Sequence, residues 1–102
     1  MDTKNLQEEL KNLLIQAEME AGTGFSITSG FRTPEENVEV GGVEGSAHLT
    51  GEAADIACVN SMRRMRIVKA LILGGFKRIG IGKDHIHCDI SKTRTQDVMW
   101  LE

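Results

Sequence analysis

The chain has no tyrosine, one tryptophan, three phenylalanines, one proline and two cysteines in 102 residues. Two cysteines, Cys58 and Cys88, cannot build a disulfide framework, and they read as small buried side chains before they read as thiolate ligands or a nucleophile. A basic excess is also missing. The net charge of -3 leaves no electrostatic footprint for nucleic acid. No apolar run approaches the length that a bilayer demands, and Met1-Asp2-Thr3-Lys4-Asn5 lacks the basic and apolar regions of a secretory signal, which predicts cytosolic synthesis. A chain of this length carries a single core, so one domain is expected over residues 1–100, with Leu101-Glu102 read as a cloning remnant.

Hydrophobic periodicity is present throughout. Leu6, Leu10, Leu13, Leu14 and Ala17 recur at helical spacing and predict an amphipathic helix from residue 3 to about residue 21, stopped by Gly22-Thr23-Gly24. Residues 25–29 read as a short strand. Thr33, Pro34 and Glu36 then form a capping box with proline at the first helical position. Gly41, Gly42 and Gly45 make a loop that leads into Ser46. Residues 53–59 alternate as a strand, with Asp55, Ala57 and Val59 on one face and Ala54, Ile56 and Cys58 on the other. Asn60 and Ser61 cap a second long helix. Its buried stripe is expected at Met62, Met65, Val68, Leu71 and Ile72, its wet face at Arg63, Arg64, Arg66 and Lys69, and its end at Gly74-Gly75.

Two more strands follow, residues 77–81 and 85–90, joined by a turn at Gly82-Lys83. In the second of them His85, His87 and Asp89 share one face, while Ile86, Cys88 and Ile90 share the other. Residues 91–100 show no clear period, and Trp100 is expected as a packing residue. The fold class is α+β: a small antiparallel sheet of about four strands packed against two main helices, burying Ile56, Cys58, Ile86, Cys88 and Ile90 and turning Asp55 and His87 toward a polar cleft.

All three histidines sit among carboxylates. His48 and Asp55 are seven residues apart with Gly51 between them to turn the chain, and His87 on a neighbouring strand would complete a set. Two imidazoles and one carboxylate suit zinc and leave a fourth position for water; each histidine taken alone is equally a satisfied core or surface residue. Hydrolysis at such an ion needs a proton acceptor and a cation. Asp84 and His85 are the candidates for the first role and Arg32 for the second. His85 has the strand parity of His87, whereas Asp84 faces the same way only if the chain bends at Lys83-Asp84. The same donor set describes an iron(II) oxygenase triad, which the small number of strands disfavours. Asp89 is placed to orient a ligand histidine.

Ser46 through Asp55 resembles the Ser-x-His-x-x-Gly-x-Ala-x-Asp signature of the M15 zinc peptidases, with all six fixed positions matched. That family holds D-alanyl-D-alanine carboxypeptidases and dipeptidases, and phage endolysins that cut L-alanyl-D-glutamate bonds. Ser29-Gly30-Phe31-Arg32-Thr33-Pro34 is similar to its Ser-Gly-aromatic-Arg-small-Pro element, and His87-Cys88-Asp89 to its His-x-Asp element. The resemblance implies a Hedgehog/DD-peptidase-like fold, zinc as cofactor, His48, Asp55 and His87 as its ligands, and Arg32 as the substrate-side cation. It also implies Asp84 as general base with His85 as a helper. The implied partner is a peptidoglycan stem peptide or muropeptide, cut by a monomer that binds neither nucleic acid nor membrane and reaches the wall by phage-type release. The alternative is a metal-containing module of the same fold that recognises wall peptide or a protein without cutting it. Without tyrosine in the chain, no tyrosine contacts the substrate.

Overall fold

The helix predicted from residue 3 begins at Glu8 in the computed structural model, which describes residues 2–102, and runs to Ala21 as α1 (Glu8–Ala21). The preceding residues brace a turn instead of extending the helix. Asn5 takes a left-handed conformation, and the Gln7 N–H donates to the Gly51 carbonyl at 2.9 Å. Leu6, Leu10, Leu14 and Ala17 are buried as expected, and Gly22 closes the helix at φ 69°, where a residue without Cβ is unstrained.

β1 (Ile27–Ser29) leads to α2 (Pro34–Glu39), whose Thr33–Glu36 capping box forms as read from the sequence. The glycine loop then delivers the chain to a 3₁₀ turn, Ala47–Thr50, and β2 (Ala53–Ala57). α3 (Ser61–Leu73) is capped by Asn60, whose side chain accepts from the Arg63 N–H. β3 (Arg78–Ile81), β4 (His85–Asp89) and β5 (Val98–Leu101) complete the sheet.

The domain is α+β, as expected, but its sheet has five strands in the order β1-β2-β4-β3-β5 and is mixed. β5 pairs parallel to β3, with Gly80 beside Trp100, and the other pairings are antiparallel. Leu101 and Glu102, left without a structural role by the sequence reading, belong to this edge: Leu101 ends β5, and the Glu102 N–H donates to the Ile81 carbonyl at 2.9 Å.

The strand parity holds. Ala54, Ile56, Cys58, Ile86, Cys88 and Ile90 enter one core with α1 and α3, and both cysteines are free and buried. Burial pushes the Cys88 thiol well above its usual value, so it stays protonated. The buried stripe of α3 is a correction. Ile67, Ala70 and Leu71 face α1, while Met62 and Met65 are 87% and 71% exposed and Ile72 is also exposed. Apolar residues occur on most sides of this helix, and the packing geometry against Leu10, Leu14 and Ala17 selects the phase. No helix among the described residues is long and apolar enough to cross a membrane.

Candidate metal centre

The Ser46–Asp55 stretch works as a hinge that aims two donors at one point. The Ser46 hydroxyl accepts from the His48 N–H at 3.2 Å and starts the 3₁₀ turn. Gly51 ends it at φ 73°, where a Cβ would also stand 2.6 Å from the Asn5 carbonyl oxygen. The chain reverses into β2, where Asp55 lies opposite His87 of β4 in the antiparallel register. His48, Asp55 and His87 are all buried, and one donor atom from each lies within 4.8 Å of the others.

The Gly30 carbonyl fixes the tautomer of His48, whereas both ring nitrogens of His87 meet carboxylates. His48 donates Nδ1–H to the Gly30 carbonyl at 2.7 Å, because a carbonyl can only accept. Its Nε2 therefore faces Asp55 Oδ1, 3.4 Å away. His87 donates Nε2–H to Asp89 Oδ2 at 2.8 Å, which turns Nδ1 toward Asp55 Oδ1 at 3.0 Å. With both rings neutral, three lone pairs converge on one point, an arrangement that needs either extra protons or a cation. Without metal, protons serve. Burial opposes the charged form of His87, but hydrogen bonds and charge from Asp55 and Asp89 outweigh it and raise its pKa to about 9. Burial likewise pushes the Asp55 carboxyl up, and the two histidines more than reverse this, holding it well below the usual carboxylate range. The donor set fits a metal ion such as zinc.

Asp89 is itself pinned. Arg78 Nε donates to its Oδ1 at 2.8 Å, the Ser91 N–H donates to the same oxygen at 3.0 Å, and the Arg78 guanidinium lies 4.8 Å over the Trp100 ring. Trp100 packs its ring 5.5 Å from that of His87, consistent with the packing role expected of it.

Arg32 joins the centre from the other side. Its backbone N–H donates to the His48 carbonyl at 3.0 Å, so the 30–32 segment and the 3₁₀ turn clasp each other. Its guanidinium donates to Ser29 Oγ at 2.9 Å, Asn37 Oδ1 at 3.2 Å and Asp55 Oδ2 at 3.3 Å. Five N–H groups less these three bonds leave two donors over. Arg32, His48, Asp55, His85, His87 and Glu102 line a cleft of about 370 Å³.

A family model described as Peptidase M15 matches residues 1–89. The chain belongs to the M15 peptidase family. No curated protein matches it. The family is generally metal-dependent, and in this M15 chain the buried His48–Asp55–His87 group is where a metal can bind.

The remaining candidates of the M15 chain part company. His85 lines the cleft beside Glu102, with Nε2 3.0 Å from Glu102 Oε1. Burial disfavours its charged form, yet hydrogen bonds to Glu102 and Asp84 raise its pKa. Asp84 sits on the bend before β4 with its side chain 77% exposed, and reaches the cleft through His85, Oδ1 lying 3.4 Å from Nδ1. Its backbone carbonyl accepts from the Cys58 N–H at 3.0 Å, which extends the β2–β4 ladder through that residue.

The sequence reading missed Asn37 and Arg78. Asn37 is buried and bonded to Arg32, yet on a short helix it looks like a surface residue. Arg78 had a usable signal: two residues before Gly80, it shares that residue's face of β3, opposite His87 and near Asp89.

Proposed function

We propose that this M15 chain is a zinc peptidase that hydrolyses peptidoglycan stem peptides. The observation that carries the reading is the convergence of His48 Nε2, His87 Nδ1 and Asp55 Oδ1, each aimed by a hydrogen bond or register contact behind it, in a cleft that also holds an arginine and a second histidine. Zinc bound there would supply a Lewis acid and lower the pKa of a bound water.

The chain's own groups do the rest. His48, Asp55 and His87 hold the ion, and Asp89 keeps His87 in the tautomer that presents Nδ1. The two spare N–H groups of Arg32 grip a carboxylate. Both candidate bonds provide one: the C-terminal carboxylate of D-alanyl-D-alanine, or the α-carboxylate of the glutamate in L-alanyl-D-glutamate. In each, that carboxylate sits on the residue whose nitrogen leaves. The Asp84–His85 pair takes the proton of the attacking water and returns one to the departing amine.

The test is digestion of purified muropeptides by the zinc-loaded protein, with products identified by mass spectrometry. Loss of D-alanine marks a carboxypeptidase and a split between the first and second stem residues marks an endopeptidase. Zinc-loaded protein that releases neither product from any muropeptide would refute the proposal and favour a binding module. Asp84→Ala and His85→Ala with zinc retained should each lower kcat by about 10²-fold or more. An unchanged kcat in either removes that residue from the role.

A further inference from the structure

Arg32 commits one N–H from each of its three nitrogens: Nε to Ser29 Oγ, Nη1 to Asn37 Oδ1 and Nη2 to Asp55 Oδ2. One N–H is left on each terminal nitrogen, the number that a two-oxygen acceptor needs. Ser29 and Asp55 lie opposite each other on β1 and β2, so the sheet itself sets two of the three anchors. Asn37 comes from outside the sheet, on α2. It is 5% exposed, and its amide has one orientation. Nδ2 donates to the Val43 carbonyl at 3.0 Å, which can only accept, so Oδ1 is the atom presented to Arg32. The Asn37 backbone carbonyl also accepts from the Gly42 N–H at 2.8 Å. One residue thus ties the arginine to the segment 40–43, whose Val40, Gly41, Gly42 and Val43 all line the cleft. That segment leaves no room for a side chain at its centre. A Cβ on Gly42 would stand 2.0 Å from Asn37 Oδ1 and 3.0 Å from Arg32 Nη1. Gly42 lies outside the left-handed region, so space, not backbone freedom, calls for glycine there.

We propose that Asn37 is a positioning residue for substrate recognition: it holds the Arg32 guanidinium and the 40–43 wall of the cleft in one arrangement, so that the two spare N–H groups meet a substrate carboxylate in a single orientation. The inference rests on the peptidase reading for its substrate, a stem peptide with a free carboxylate on the residue whose nitrogen leaves. Without Asn37 the guanidinium keeps its anchors on the sheet but gains a third unpaired N–H, and the wall loses its tie to α2. A carboxylate can then be gripped in several poses, of which few set the scissile carbonyl beside the metal centre, and the advantage of a pre-set geometry is lost. Asn37 touches neither the metal ligands nor the reacting atoms, so its effect falls on carboxylate recognition and not on the ion.

The experiment compares two forms of one stem pentapeptide, with the C-terminal and glutamate α-carboxylates free in the first and converted to carboxamides in the second, on zinc-loaded wild type, Asn37→Ala and Gly42→Ala. Wild type should prefer the carboxylate form in kcat/KM. Both variants should lower that preference by about tenfold or more, with zinc affinity by calorimetry unchanged. Gly42→Ala keeps Asn37 in the chain and displaces its amide from the other side, and circular dichroism checks that each variant folds. An unmoved preference in a folded variant would overturn the proposal, as would a wild type that treats the two forms alike. Zinc affinity falling in step with the preference would also overturn it, since that marks a residue that merely supports the fold. Failure of the peptidase reading looks different: no variant cuts either form, and the preference is then read as the ratio of the two peptides' dissociation constants. Loss of that ratio in the variants keeps Asn37 in its role, and an unchanged ratio removes it.

Discussion

His87 is the residue at which burial, charge and hydrogen bonding compete most directly. Metal requires a neutral imidazole, and the metal-free protein holds His87 protonated up to about pH 9. Zinc must therefore displace a proton through the neutral range. Its affinity should rise about tenfold per pH unit toward pH 9, and titration in two buffers of different ionisation enthalpy should count one proton released. No proton release at pH 7 would show that His87 does not bind metal. Asp89 tunes the same ring from behind: Asp89→Asn should weaken zinc by about 10–100-fold while leaving the fold intact by circular dichroism. His48, Asp55 and His87 were legible as a group, because strand parity turned Asp55 and His87 toward one cleft and the M15 signature holds His48 and Asp55.

Among the elements, the 3₁₀ turn carries the most consequence for its length. The sequence leaves it without an assigned element, because four residues with Ser46 and Gly51 at the ends give too short a pattern for periodicity to report. Gly51→Ala combines a left-handed backbone with a close approach to the Asn5 carbonyl. It should cost about 1–3 kcal/mol in denaturant unfolding and weaken zinc by moving His48. Asn60→Ala makes the contrast: loss of the α3 cap should cost about 1 kcal/mol with zinc affinity unchanged. The phase of α3 was illegible for a different reason, since Met62, Met65, Ile67 and Leu71 support overlapping stripes and only docking on α1 chooses between them. β5 alternates in burial over four residues, too few to stand out, and its parallel partner lies some twenty positions back at Arg78.

Over the whole molecule, the donor atoms come from three segments that the sheet and the 3₁₀ turn bring together, so metal binding and folding are linked. Without metal, the raised pKa of His87 stabilises the native state fully below its ordinary value near 6.5, and that contribution is lost as pH rises through about 9. At most it is on the order of 3 kcal/mol. The metal-free protein should therefore melt several degrees lower at pH 9.5 than at pH 6.5. Zinc at one hundred times its Kd should add about 2.7 kcal/mol and raise Tm by roughly 10–20 °C. A Tm indifferent to zinc would contradict the linkage. The α+β class and the inward turn of both cysteines were legible from alternation alone, whereas the closing strand and the mixed sheet depended on long-range pairing that periodicity does not carry.

The most direct measurement is X-ray absorption at the zinc edge on protein loaded with one equivalent of zinc. The expected ligand sphere has two imidazole nitrogens and carboxylate or water oxygens at about 2.0–2.2 Å and no sulfur. A sulfur ligand at about 2.3 Å, or an all-oxygen sphere without imidazole, would contradict a centre built from His48, Asp55 and His87.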